Sequence, residues 1–67
     1  MDNLIALFRD MRQKLNDLSL EMTFGSTSKI VLLRGEKKIF TITAASINAC
    51  TDIAFSKLMD YKKTVLP

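Results

Sequence analysis

The spacing of apolar residues changes twice along this chain, and that change limits the fold more than any single motif. Leu4, Phe8, Met11 and Leu15 recur at steps of four, three and four, so they share one stripe of a helix. Arg9, Asp10, Arg12, Gln13, Lys14 and Asn16 fill the opposite side. The spacing predicts a helix over residues 3–16, with Asp2 or Asn3 capping its free amides. Asp10 stands four residues ahead of Lys14, the favourable order for a helical ion pair. From Leu18 the step falls to two: Leu18, Leu20, Met22 and Phe24 alternate with Ser19, Glu21 and Thr23, as in a half-buried strand. Leu18 and Met22 also continue the helical stripe, so a longer first helix ending near Gly25 is the competing reading.

Gly25, Ser26, Thr27 and Ser28 make a loop of hairpin length. Ile30, Val31, Leu32 and Leu33 are apolar on both sides of an extended chain, as expected of a strand in the middle of its sheet. A polar tip follows, Arg34-Gly-Glu-Lys-Lys38, where glycine supplies a positive φ at little steric cost. Residues 38–43 are rich in β-branched side chains and form a third strand, with Phe40 and Ile42 on one face and Ile39, Thr41 and Thr43 on the other. The helical period then returns. Ser46 can cap a helix whose stripe is Ile47, Cys50, Ala54, Leu58 and Tyr61, with Lys57, Lys62 and Lys63 towards the end that favours positive charge. The expected fold is α+β, in the order α-β-β-β-α, with two helices packed on a small antiparallel sheet. If the first helix is the longer one, the order is α-β-β-α. No repeat, low-complexity tract or linker divides the chain, so residues 1–67 are read as a single domain.

Two layouts resemble known families. Helix, three strands, helix in so short a chain is the order of double-stranded RNA-binding domains. Those carry a lysine cluster at the start of the last helix, where this chain has Ala45-Ser-Ile-Asn-Ala49. On the fallback order, "KIVLLRGEKKIFTITAASI" is similar to a hairpin leading into a helix in the small head–tail joining proteins of tailed phages. Neither resemblance assigns a role to any residue.

Size sharpens the expectation. In a chain of 67 residues the core alone supplies about 3–5 kcal/mol, and small domains usually add a disulfide, a metal or a second subunit. Here there is one cysteine, Cys50, and no histidine. Neither an internal disulfide nor a Cys/His zinc site can be built, which leaves oligomerisation. A lone thiol suits a reducing compartment, and the expected location is cytoplasmic. The longest apolar runs, residues 4–8 and 30–33, fall far short of a membrane span, and Asp2 is unlike the basic leading region of a signal peptide. The formal charge of +3 gives a mild attraction for polyanions.

Chemistry narrows the function further. Without histidine, the usual proton-transfer group near neutral pH is missing, and a cysteine nucleophile would lack its usual base. Asp10, Asp17, Glu21, Asp52 and Asp60 fall on faces expected to be solvated, and Cys50 lies on an apolar stripe as an inert thiol. The two glycines, Gly25 and Gly35, form no phosphate-binding loop. Met11, Met22 and Met59 fit as core filling. The chain is therefore expected not to be an enzyme, with no catalytic residue, no cofactor and no metal.

Two readings remain. With 48% hydrophobic residues on so short a chain, the first is an interaction module that works as a homo-oligomer, through a sheet face carrying Val31, Leu33 and Ile39. The alternative is nucleic-acid binding by Lys29, Arg34, Lys37 and Lys38, joined by Arg9 and Arg12. Phe8, at the middle of the first stripe, is expected to be almost wholly buried.

Overall fold

The structure, a computed structural model, describes residues 2–66. Its elements are α1 (Asp2–Arg12), β1 (Leu18–Thr23), β2 (Ser28–Arg34), β3 (Lys37–Ala44) and α2 (Ile47–Val65). The strands form an antiparallel sheet in the order β1-β2-β3. This is the α-β-β-β-α arrangement, and the longer first helix does not form.

α1 stops at Arg12, four residues before the end expected from the apolar stripe. The Leu15 amide still donates to the Met11 carbonyl at 2.9 Å, but the Leu18 amide then donates to Leu15 and turns the chain into β1. Leu15 keeps its place against the core from a turn, which is why its spacing looks helical. Asp10 does not pair with Lys14. Its carboxylate lies 3.4 Å from Lys62 Nζ, which ties α1 to α2.

Phe8 is half-buried, not the anchor of the stripe; Leu4 and Met11 are, at 1% and 0% exposure. At about 100° per residue, positions seven apart return to within about 20° of each other, while Leu7 and Phe8 fall about 50° to either side of them. Both pack on the core from its margins.

Directly opposed residues in antiparallel strands point to the same side of a sheet. Ile30 stands between Met22 and Ile42, and Leu32 between Leu20 and Phe40. These rows face the helices, with Ile30 and Leu32 at 0% exposure in one cluster with Leu18, Cys50, Ala54 and Leu58. Val31 stands between Glu21 and Thr41 on the other side and is not part of that cluster. Among the described residues, helices thus cover the sheet on one face only.

The register slips by one residue between Leu32, opposite Phe40, and Leu33, opposite Lys38. The extra residue is Ile39, a β-bulge in β3. It packs against the core together with Phe40, so the expected placing of Ile39 opposite Phe40 and Ile42 is wrong. Strict alternation fails wherever two residues oppose one.

Between β2 and β3 runs a two-residue turn, Gly35 and Glu36. Gly35 has φ 63° and no other residue is positive among those described, as a type II′ hairpin turn requires at its first position. At the start of α2 the Ala49 amide donates to Ser46 Oγ at 3.1 Å, the expected cap. Cys50, Ala54 and Leu58 are wholly buried, but Ile47 is 44% exposed. Cys50 Sγ lies 3.7 Å from the Ile42 carbonyl, whereas Ile47, at the start of the helix, is not part of the core cluster.

Candidate functional site

The four expected cationic contacts do not converge. Lys29 lies opposite Thr23 and Thr43, and Lys38 opposite Leu33; both belong to the open face of the sheet. Lys29 and Arg34 are five residues apart on one strand, about 17 Å. Arg34 and Lys37 oppose each other on the helix-covered side. Arg34 is also engaged: its Nη1 donates to Tyr61 Oη at 3.4 Å and its Nε lies 3.6 Å from Asp17 Oδ1. The bond to Tyr61, and after it Asp17, holds the guanidinium above its already high ordinary pKa. The Gly35 amide donates to the Asp17 carbonyl at 2.9 Å. Arg34 is a strut joining β2, the connection into β1 and α2.

What gathers around this turn is a wider set of charges. The last turn of α1, the last turn of α2 and the β2–β3 turn all meet here, as the Asp10–Lys62, Arg34–Tyr61 and Gly35–Asp17 contacts show. Arg9, Arg12, Lys14, Lys37, Lys38 and Lys63 are exposed at this end and make no ion pair among the described residues.

The three expected interface residues separate as well. Val31 and Leu33 sit on the open face, whereas Ile39 is turned to the core by the bulge. Val31 is only 4% exposed, because its position in the middle strand leaves it covered by neighbours on both sides. Leu33 is half-buried. Around them the open face carries Ser19, Glu21, Thr23, Lys29, Lys38, Thr41 and Thr43.

The exposed apolar surface lies elsewhere. Met22 is 36%, Phe24 40% and Ile47 44% exposed, and all three belong to the end of the molecule remote from the β2–β3 turn. Ile53, also 44% exposed, is on the flank of α2. Sequence spacing assigned Met22, Phe24 and Ile47 to buried stripes. The missed signal was their place at the margins of their elements: Met22 and Phe24 close the alternating stripe of β1, and Ile47 opens the helical stripe of α2.

Cys50 is wholly buried, and burial pushes its thiol pKa up. That is the setting of an inert core thiol. Among the described residues there is no pocket and no cluster of three or more His, Cys, Asp or Glu side chains placed to hold a metal ion. Nor is any of their helices long and apolar enough to cross a membrane. Residues 47–54, the first two turns of α2, contain no cation. Compared with known proteins, the chain matches no family model, no curated protein and no solved structure.

Proposed function

We propose that this chain is a small non-enzymatic interaction module of the cytoplasm that acts as a homo-oligomer, in an adaptor, assembly or regulatory role. The observation that carries this reading is the exposure of Met22, Phe24 and Ile47 at one end of a molecule whose core is small. Such apolar area marks interaction surfaces, and a second copy that covers it adds the stability a chain this short otherwise lacks. The lone, buried thiol suits a reducing compartment. Sedimentation equilibrium across the micromolar range tests the reading: the expected species is a dimer or higher oligomer, and a monomer throughout excludes it.

A second reading, nucleic-acid binding, is favoured by the six free cations around the β2–β3 turn. Helix C-termini attract cations for their own reasons, which weakens the case. On duplex DNA, binding of this kind falls with salt at a log–log slope of about −0.9 per phosphate neutralised. The double variant Lys37→Glu/Lys38→Glu should abolish it, and a gel shift with no complex at low salt removes it.

A further inference from the structure

The two edges of the sheet are built differently. β3 carries Lys37 and Lys38 and is interrupted by the bulge at Ile39. Lysines and bulges are the ordinary means by which an edge strand is kept from pairing with another chain. β1 has none of these: it reads Leu-Ser-Leu-Glu-Met-Thr, and it pairs with β2 in unbroken register from Leu18 to Thr23. Its helix-side residues lose cover along the strand, from Leu18 at 1% exposure to Met22 at 36%, with Phe24 at 40% just beyond.

We infer that β1 is the docking edge for a second copy of this chain, the two β1 strands pairing antiparallel about a two-fold axis to make one six-stranded sheet. This inference rests on the homo-oligomer reading and names its interface. The sequence of the edge is self-complementary in one register. With the axis at Met22, Leu20 stands opposite Phe24 of the second copy and Met22 opposite its own counterpart, which closes an apolar row on the helix side. On the open side Glu21 stands opposite Thr23 of the second copy, whose own neighbour across the sheet is Lys29. Two strand spacings, about 9.6 Å, separate that lysine from Glu21, a gap their side chains span together. Moving the axis to Glu21 would set two carboxylates face to face, which is destabilising. Moving it to Leu20 would leave Phe24 without a partner. Pairing β1 with β3 of another copy would leave free edges and run on as a fibre, and the lysines and bulge of β3 oppose it.

The test is sedimentation of Met22→Lys beside the wild type, with circular dichroism as the check on folding. Like charges at the axis should weaken self-association by about tenfold or more while the spectrum stays unchanged. Oxidation of Met22→Cys is the second measurement and does not depend on that variant folding. It should give a covalent dimer that Thr41→Cys, on the open face, does not give. Met22→Lys self-associating as tightly as the wild type, or Met22→Cys failing to cross-link, overturns the edge. If Leu33→Lys then dissociates the oligomer, the homo-oligomer reading stands with the open face as its interface. A wild type that is monomeric throughout overturns both.

Discussion

Leu32 and Val31 are neighbours on the same strand and nearly equally buried, at 0% and 4%, yet they belong to different environments. Leu32 lies on the side of β2 that meets α2, in a closed cluster that also holds Leu4 and Met11 of α1. Val31 is hidden only by the residues beside it on a face that no helix covers. Burial as a fraction therefore says little by itself; what a side chain would leave behind if removed says more. A vacancy under helices stays as a cavity, whereas one on an open face is closed by adjacent side chains or filled by water.

The largest test of this contrast is truncation. Leu32→Ala should cost about 2–5 kcal/mol, close to the whole stability of a domain this size, whereas Val31→Ala should cost about 1.5 kcal/mol. Urea denaturation of both variants decides it, and equal losses would break the contrast.

Cys50 sharpens it through chemistry. Because burial raises its pKa, the folded thiol holds its proton at a pH where the unfolded thiol, near about 8.5, has released it. Stability should be complete below that value and fall by up to about 1.4 kcal/mol per pH unit as pH rises towards the folded-state pKa. Subtracting the profile of Cys50→Ala isolates this loss. In the native state Cys50 should resist thiol reagents that label Thr41→Cys at once.

The β2–β3 turn keeps the two faces from exchanging, since a one-residue slip would carry every apolar side chain to the wrong side. Gly35→Ala places a Cβ at φ 63° with only Asp17 Oδ2 near it, at 3.9 Å, so the cost is conformational, about 1 kcal/mol. Gly25→Ala meets nothing within 4 Å and has no positive φ, and should be neutral or slightly stabilising in a thermal melt. Smallest of all is Thr43→Val on the open face, expected within about ±0.5 kcal/mol by the same melt.

The order of elements was legible because the two hydrophobic periods differ and because Ser46 and Gly35 occupy positions with few alternatives. The end of α1 was not, since Leu15 satisfies the core from a turn as well as it would from a helix. Ile39 was misread because an inserted residue leaves no mark in an alternating pattern. The candidate site was less legible still. Arg34 looked free until Tyr61, 27 residues later, came beside it. The cations of α1 and α2 could be gathered at one end only once the direction of each helix was known. The contrast between a β3 with two lysines and a β1 without any lies in the sequence itself; its meaning needed the knowledge that both are edges.

The Asp10–Lys62 contact joins residues 52 apart in a chain of 67. The sheet, by comparison, is closed by a two-residue turn and a loop of residues 24–27. Closing a loop costs more entropy the longer it is, by about 0.6 kcal/mol per doubling, so the meander can assemble on local contacts before α1 is brought home. This predicts a late role for α1 in folding. Leu4→Ala should speed unfolding and leave refolding nearly unchanged, whereas Leu32→Ala should slow refolding. Stopped-flow chevrons of the two variants would show it, and a slowed refolding limb for Leu4→Ala would place α1 in the nucleus instead.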